Sequence, residues 1–511
     1  MKLTVRLPIC LVLALVLGVL GLASAQIPQH VATYAHPGTF PDLDPRSGFS
    51  NENVVMSNVY ETLTRYQLDG TVAPLLASSW EASEDGLNWT FTLAIGPCFH
   101  DGSPVDAAAV KASLERTKEL NLGAAFILDP IETITVVDYR TVNFELSYAA
   151  PLDLILSSGY GAWIMSLDSI DQDNAWFNDG NDGGSGPYTS RSYAPGQNLV
   201  LDAYGEYWQG WEDDQFATVV FEIIEEPTLR EQMIRSGEAD FTYQLPFDSY
   251  LPLSSAPDVV VDTTPSFQSL YGLLNTRKAP LDDPRVRRAL QHSFPYGVVV
   301  DNLWGGLGNR ATGAVPTGIW GSVAEPAVGY DLNEAKRLLT EAGVSDLELV
   351  YTYIAGALEE QMVGELWRSE LSKLGIDLEV LGLAWEAQWD LAQSDPENAQ
   401  DIFVMYWWPT YITPYDFLFS MFHSEDTPFF NLGYYANEAF DALIDEAASL
   451  SGTDRERAAA LFEESQQVLD ADAAAVYMIE VPDTHVVRSD IVGYQNNPAY
   501  PHVVFWYELS R

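Results

Sequence analysis

Residues 77–104 read ASSWEASEDGLNWTFTLAIGPCFHDGSP, and this stretch contains a strand, a turn and the approach to a helix. Trp89, Phe91 and Leu93 alternate with two threonines, a period of two that predicts a half-buried strand. A turn follows at 101–104, and residues 106–116 then place apolar side chains at helical spacing. This succession of elements indicates a mixed α and β protein.

The rest of the chain continues the alternation of strands and helices. A β-branched run at 218–224 predicts a strand, and a helix should begin near Pro227 and end at Gly237. Another helix has Asp331 as its N-cap residue, Glu334 three positions later in a capping-box arrangement, and Gly343 at its end. Because no tandem repeat or long Pro/Ser linker separates these segments, we expect interleaved domains.

Residues 1–25 predict a cleaved signal peptide. Basic residues precede an apolar run at 7–22, and the segment 23–25, Ala-Ser-Ala, is the kind of site that signal peptidase accepts. A membrane-spanning anchor would need about 20 apolar residues and usually polar or aromatic flanks. Cys10 lies inside the apolar run rather than after the cleavage site. We therefore expect export to the periplasm or exterior without an obvious lipid anchor.

The chain is strongly acidic. Its 73 acidic and 25 basic residues give a net charge of −48, which becomes −50 without Lys2 and Arg6. Nucleic acids and anionic membrane surfaces would repel such a protein, so neither is an expected partner. The acidity is consistent with a cationic ligand or with a solubility adaptation spread over the surface, and we favour the second interpretation.

Ordered motifs identify the family that this sequence resembles. They are ASSWE at 77–81, DGLNWTF at 85–91, FHDGSP at 99–104, GSGPY at 184–188, PGQ at 195–197, YWQG at 207–210, GEAD at 237–240, the segment 275–290 and the segment 330–343. In this order they resemble the extracellular solute-binding proteins of family 5, the dipeptide-, oligopeptide- and nickel-binding type of ABC-importer subunit. Each motif is weak by itself, but the ordered set spans most of the chain.

The resemblance implies an α/β architecture, the two-lobed type II fold of periplasmic binding proteins with an extra third domain. Lobe I would be discontinuous and comprise 26–55, 183–268 and 485–511. The additional domain II would comprise 56–182, and lobe III would comprise 269–484. A hinge between the lobes would let them close over a ligand.

The resemblance also implies the function. The protein would capture a solute, deliver it to an ABC permease with its ATPase subunits, and act as a monomer without a cofactor. A peptide is the favoured solute, and an oligosaccharide or another amine-free solute is the alternative. A peptide-binding chaperone or receptor on the same fold stays open, as does a secreted glycoside hydrolase as a rival of a different class.

The aromatic run at 406–411 contains the main ligand-binding candidates. Trp407 matches a tryptophan that lies by the cleft in the resembled peptide-binding proteins, although a strand end can also bury its tryptophans as core. Trp385 matches a second cleft-lining tryptophan. Where the family has the aspartate that pairs with a peptide's terminal ammonium, this chain has Thr410.

The departure at Thr410 has a physical consequence. An enclosed ammonium needs a counter-charge, because a buried charge left unpaired costs about 3–5 kcal/mol. Either Asp401, Asp416 or Glu386 supplies the charge, or the ligand has no free amine at this place. Among these, Asp416 is taken as a ligand-binding candidate.

Three further residues complete the predicted site. Trp408 adjoins Trp407 in the aromatic run, and Tyr34 and Tyr160 could face the cleft or could pack in the core. His100 sits beside a turn in its motif, so a conformational role is preferred to a catalytic one.

Neither a metal site nor a catalytic centre is predicted. The seven histidines include no H-x-x-x-H pair, and the loop at 171–184 does not have the spacing of a calcium-binding loop. The sequence contains no G-x-S-x-G, H-E-x-x-H or C-x-x-C motif. We therefore expect a binding protein rather than an enzyme.

Overall fold

The computed structural model describes residues 30–511. The predicted signal peptide, residues 1–25, lies outside the described residues. Within residues 30–511, every helix is too short or too polar to span a lipid bilayer.

The described chain alternates strands and helices, as the sequence predicts. The strands are β1 (His30–His36), β2 (Thr64–Tyr66), β3 (Val72–Pro74), β4 (Ala77–Ala82), β5 (Asn88–Leu93), β6 (Ile131–Asp138), β7 (Thr141–Leu146), β8 (Tyr188–Ala194), β9 (Asn198–Ala203), β10 (Phe216–Ile223), β11 (Phe241–Tyr243), β12 (Val259–Leu274), β13 (Glu348–Ile354), β14 (Asp377–Leu383), β15 (Ile402–Trp407) and β16 (Ala475–Arg488). The α-helices are α1 (Asn53–Val59), α2 (Ala107–Leu120), α3 (Leu152–Ile155), α4 (Asn174–Asn178), α5 (Pro227–Ser236), α6 (Phe247–Ser254), α7 (Pro284–Ser293), α8 (Tyr296–Val298), α9 (Leu332–Ala342), α10 (Leu358–Ser372), α11 (Trp385–Ala392), α12 (Pro414–Phe422), α13 (Glu438–Leu450) and α14 (Arg455–Ala471).

The chain divides into two compact units. Unit 1 contains the described residues up to Thr264 together with Asp483–Arg511, and unit 2 is Pro265–Pro482. The chain passes between the units inside β12 and again inside β16.

Unit 1 is built on a sheet whose central strand is β1. This strand pairs in parallel with β10 on one side and with β11 on the other. Antiparallel pairs extend the sheet through β9 and β8 and, beyond β11, to β16. Tyr34 of β1 is fully buried, so this strand forms part of the core of the unit.

A second, antiparallel sheet in unit 1 has the order β4-β5-β7-β6. In β5, Trp89, Phe91 and Leu93 are buried, whereas the two intervening threonines are half-buried. The predicted alternation is therefore confirmed, and its apolar face is the one that packs inward.

His100 joins the turn after β5 to the glycine-rich loop before β8. Its Nδ1 lies 2.5 Å from Asp182 Oδ1, and its Nε2 lies 2.9 Å from the carbonyl oxygen of Gly186. Burial disfavours the charged imidazole, but the Asp182 carboxylate, the Gly186 carbonyl and Glu61 together more than offset this effect and raise the pKa of His100. These contacts agree with the conformational role that the sequence favours.

Unit 2 contains a sheet with the order β14-β13-β15-β12, followed by β16. Strand β13 is parallel to both β14 and β15, and β15 is antiparallel to β12. The first four residues of β15 are buried, which is typical of a strand covered on both faces.

The helix ends show the predicted signals with one exception. Gly237 and Gly343 both adopt positive φ angles and end α5 and α9, because glycine tolerates this conformation. Asp331 caps α9 through its side chain, as predicted. The prediction of a capping box is wrong. The Glu334 carboxylate forms an ion pair with Arg337 and does not accept a hydrogen bond from the backbone N–H of the N-cap residue.

Candidate functional site

The candidate site in unit 2 begins where β15 ends. Trp407 is the last residue of this strand and pairs with Ser269 of β12. The strand emerges there from the buried core, so Trp407 is half-buried and Trp408 is 39% exposed.

Asp416 joins Trp407 to Thr410. The indole Nε1–H of Trp407 donates to one carboxylate oxygen at 2.9 Å, and the Thr410 hydroxyl donates to the other at 2.8 Å. Thr413 caps α12, which places Asp416 in the first turn of that helix, where the helix dipole favours a negative charge. Burial raises the pKa of Asp416 to about 6, and the bonds from Thr410 and Trp407 oppose that rise.

Five aromatic side chains form a connected group, which we name the aromatic cluster. Ring centroids are 5.0 Å apart for Trp385 and Trp389, 5.5 Å for Trp389 and Phe430, 4.8 Å for Phe430 and Trp407, and 4.4 Å for Phe430 and Phe429. Two predicted residues, Trp385 and Trp407, are thus brought together through rings that lie between them. Trp385 is 41% exposed and Phe429 is 60% exposed, so the cluster presents apolar surface to its surroundings.

Tyr34 and Tyr160 belong to unit 1, whereas the aromatic cluster belongs to unit 2. Tyr34 is fully buried, and its hydroxyl donates to the carbonyl oxygen of His502 at 3.0 Å. Tyr160 packs its ring against Phe49 at 5.3 Å, and burial raises the pKa of its hydroxyl to about 12. Both side chains have the contacts of core residues.

The acidic residues considered as counter-charges have different surroundings. Asp401 forms an ion pair with Lys278 at 3.0 Å and accepts a bond from the backbone of Val350 at 2.8 Å. Glu386 is exposed in the first turn of α11. Asp416 is the one that contacts Thr410 directly.

Sequence reasoning missed Trp389, Phe429 and Phe430. Trp389 lies four residues after Trp385 on one helix, and this spacing could have indicated a shared face. The two phenylalanines carry no such signal, because they meet the tryptophans through the tertiary fold.

A separate cavity of about 390 Å³ lies elsewhere in unit 2. Its lining includes Gln291, Arg310, Glu463 and Tyr477. It shares no residue with the aromatic cluster or with the hydrogen-bonded set of Trp407, Thr410 and Asp416, which we name the Asp416 group, so it is not part of the candidate site.

Comparisons with known proteins agree on one family. The family model of the bacterial extracellular solute-binding proteins, family 5 Middle, matches residues 71–429. The probable D,D-dipeptide-binding periplasmic protein DdpA of Escherichia coli (strain K12) is 30% identical over 493 residues, covering 94% of each chain.

Two solved structures show the same fold. HbpA2 from Haemophilus parasuis superposes with a TM-score of 0.83 at 21% identity, covering 94% of this chain and 99% of its own. The ABC transporter-associated periplasmic binding protein DppA from Helicobacter pylori, in complex with the peptide STSA, gives 0.75 at 23% identity and covers 94% and 98%.

Proposed function

The chain belongs to the bacterial extracellular solute-binding proteins of family 5, and from this premise we propose that it captures peptides and delivers them to the permease of an ABC importer. The family and its α/β type II fold are those that the sequence predicts, so both predictions are confirmed. The family is one of binding proteins, and we propose that the solute leaves the protein chemically unchanged.

The Asp416 group is the observation that carries the peptide proposal. A hydroxyl can donate one hydrogen bond and accept others. Thr410 Oγ can therefore accept a hydrogen bond from a peptide's terminal ammonium while its own O–H donates a hydrogen bond to Asp416. The negative charge of Asp416 then stands behind the threonine at the place where the family has an aspartate. This arrangement would compensate for the departure at Thr410.

The aromatic cluster supports the same proposal. Trp385 and Phe429 of the cluster, and Trp408 next to Trp407 in the chain, all keep more than a third of their surface exposed, although large aromatic side chains are usually buried. An exposed apolar group beside a polar anchor is typical of a small-molecule site. Peptide side chains would pack on these rings while the amino terminus is held at Thr410.

The exposed indole rings also favour a second candidate, an oligosaccharide. Sugar rings have apolar faces that can stack on tryptophan, and their hydroxyls could donate to Asp416. The two candidates differ in charge, because an oligosaccharide of neutral sugars brings no ammonium group. Blocking the amine of a peptide therefore separates them.

The first experiment measures binding by calorimetry and thermal shift. We expect peptides with a free amino terminus to bind, and the same peptides with an N-acetyl group to bind at least about tenfold more weakly. A peptide present at 100 times its Kd should stabilise the protein by about 2.7 kcal/mol. Equal binding of both forms, or binding of oligosaccharides or nickel in place of peptides, would contradict the proposal. Mass spectrometry of the recovered ligand tests whether it is unchanged.

Variants then test the assigned roles. Asp416→Asn should weaken the binding of free-amine peptides and reduce the preference for them over acetylated ones, because the counter-charge is gone. In the wild type the same preference should fall below pH 6, since protonation neutralises Asp416.

Trp407→Phe should weaken peptide binding by a larger proportion than it lowers the melting temperature of the ligand-free protein.

Trp367→Phe is the matched control for Trp407→Phe. Trp367 is fully buried, and its indole nitrogen donates to Ser293 at 2.9 Å, so this change also removes one indole donor. We expect it to lower the melting temperature and leave the peptide affinity of the folded protein unchanged. If both variants lost stability and affinity in the same proportion, Trp407 would be a core residue.

A further inference from the structure

Three side chains with metal-binding atoms meet in unit 1, where β16 runs toward the C-terminal segment. Asp483 and His485 belong to β16, and His502 lies in the last residues of the chain. One ligand atom from each of them falls within 4.8 Å of the others. Asp483 and His485 are buried, and the His502 side chain is 28% exposed.

The distance between the two imidazole nitrogens fits a single ion. His485 Nε2 lies 3.2 Å from His502 Nδ1. Two imidazole nitrogens at the usual zinc–nitrogen distance of about 2.0–2.1 Å are about 3.3 Å apart in a tetrahedral site. Asp483 Oδ1 lies 3.8 Å from His502 Nδ1, and the three ligand atoms lie within 4.8 Å of one another, so the Asp483 side chain must move toward the two histidines to complete a three-ligand site.

Neighbouring residues hold the ligands in a suitable orientation. The Tyr494 hydroxyl lies 2.9 Å from His485 Nδ1, which leaves Nε2 on the side of His502. Asn496 Nδ2 donates to Asp483 Oδ2 at 3.1 Å and leaves Oδ1 for the site. Such outer partners fix the orientation of metal-binding histidines and carboxylates.

The backbone of His502 is an independent sign of constraint. Its φ angle is +60°, a conformation that residues other than glycine adopt infrequently. The Tyr34 hydroxyl donates to its carbonyl oxygen, and the Tyr243 ring stacks on its imidazole at 4.0 Å. Strained residues held by their surroundings concentrate at functional sites.

We propose that Asp483 Oδ1, His485 Nε2 and His502 Nδ1 bind a divalent transition metal, with Zn²⁺ as the best fit to two imidazoles and one carboxylate. With three protein ligands, the fourth position is open to water or to a donor atom of a bound molecule. Without the ion, the two facing imidazole nitrogens share one proton in a hydrogen bond. Metal binding moves that proton to the other nitrogen of the imidazole that carries it, Nδ1 of His485 or Nε2 of His502, so no proton need be released.

This site departs from the expectation that the protein has no metal site. The sequence signal is weak, because His485 and His502 are seventeen positions apart and the pairing depends on the tertiary fold. The proposal is independent of peptide capture, whose residues lie in unit 2.

Calorimetric titration of the metal-stripped full chain with ZnCl₂ tests the proposal. Excess Mg²⁺ and 150 mM NaCl should suppress weak binding to surface carboxylates. We expect one Zn²⁺ per chain, a higher melting temperature with zinc, and visible absorption bands of a four-coordinate site when Co²⁺ replaces it. Absence of a saturable one-to-one event would overturn the proposal.

Variants locate the site. His502→Asn keeps a residue that tolerates positive φ, and Asp483→Asn keeps the side-chain shape, so both should fold without metal. We expect each to weaken zinc binding by about tenfold to 100-fold or more. The control is His423→Gln, because His423 of unit 2 also lies near carboxylates, at 3.4 Å from Asp445. Zinc binding that His423→Gln abolishes, or that both cluster variants retain, would contradict the assignment.

Discussion

Glu61 shows how a single buried acid couples the stability of unit 1 to pH. Its side chain accepts bonds from the Ser185 hydroxyl at 2.8 Å, the Tyr207 hydroxyl at 3.0 Å and the Trp208 indole nitrogen at 3.1 Å. Burial nevertheless raises its pKa to about 7, and these bonds reduce the rise. The protonated form is thus favoured in the folded protein more than in the unfolded chain.

We predict that Glu61→Gln gains stability relative to the wild type as the pH rises from 5 to 8. A raised folded-state pKa contributes stability below the unfolded value near 4.5, and this contribution is lost as the pH rises through about 7. Glutamine keeps the shape without the charge, so the relative gain can reach about 3 kcal/mol. Melting temperatures at both pH values measure it. Glu379→Gln, at an exposed position on β14, is the control, and parallel curves for the two variants would refute the prediction.

At the scale of single residues, the sequence predicts which side chains are candidates for binding better than it predicts what surrounds each of them in the fold. Trp385 and Trp407 were named from the family resemblance, and both belong to the aromatic cluster. The sequence does not predict whether Tyr34 faces a cleft or the core, because an aromatic residue on a strand is common both at a cleft wall and in the core. Its burial follows from the pairing of β1 with strands on both sides.

Helix α11 carries Trp385 and Trp389, and one buried amide fastens it to the sheet of unit 2. Gln388 is fully buried, and its Nε2 donates to the carbonyl oxygens of Thr352 in β13 at 3.0 Å and Val404 in β15 at 3.1 Å. The same two strands pair with each other. The amide therefore sets the position of the helix relative to the strand that ends at Trp407.

We predict that Gln388→Ala destabilises the protein by about 1–3 kcal/mol, because a buried donor to two carbonyl groups is lost. The tryptophans of α11 should also become less ordered, which near-ultraviolet circular dichroism can detect. Peptide affinity should fall if the aromatic cluster binds the solute.

Gln393→Ala is the matched control, since Gln393 lies just after the same helix and donates to Pro428 at 3.0 Å from a half-buried position. Its effect should be smaller in both measurements. Equal effects would show that Gln388 has no particular role in placing α11.

Elements with strong local signals were predictable, and their exact contacts were not. Strand β5 shows the predicted alternation of buried and half-buried residues, and glycine ends α5 and α9 as predicted, because periodicity and backbone conformation are local properties. The capping box failed since Arg337, one helical turn onward, competes for the Glu334 carboxylate. The backbone N–H of Asp331 bonds instead to His292, a tertiary contact that no local pattern contains.

At the scale of the whole molecule, the sequence predicts the family and type of fold but not which distant segments meet. Phe430 joins the aromatic cluster, and His502 joins Asp483, through contacts between distant parts of the chain. The division of the first part of the chain into lobe I and an additional domain stays a prediction.

The charge of the whole molecule has a thermodynamic consequence. With 73 acidic and 25 basic residues, most carboxylates have no basic partner available, and their repulsion opposes the compact state. We predict that the melting temperature rises by roughly several degrees when NaCl is raised from 20 mM to 1 M. The screening length falls to about 3 Å at 1 M, so the repulsion between carboxylates is weaker there. A melting temperature that is unchanged or lower at 1 M NaCl would contradict this account.

One exposed pair makes that repulsion local and testable. Glu348 of β13 stands directly opposite Asp377 of the neighbouring strand β14, and both are exposed. Like charges in this position are destabilising, so Glu348→Lys should raise the melting temperature by about 1 °C at 20 mM NaCl and by less at 1 M. Glu348→Gln removes the repulsion without adding an attraction and should give an intermediate gain. If the lysine variant gained equally at both salt concentrations, its effect would come from packing rather than from charge.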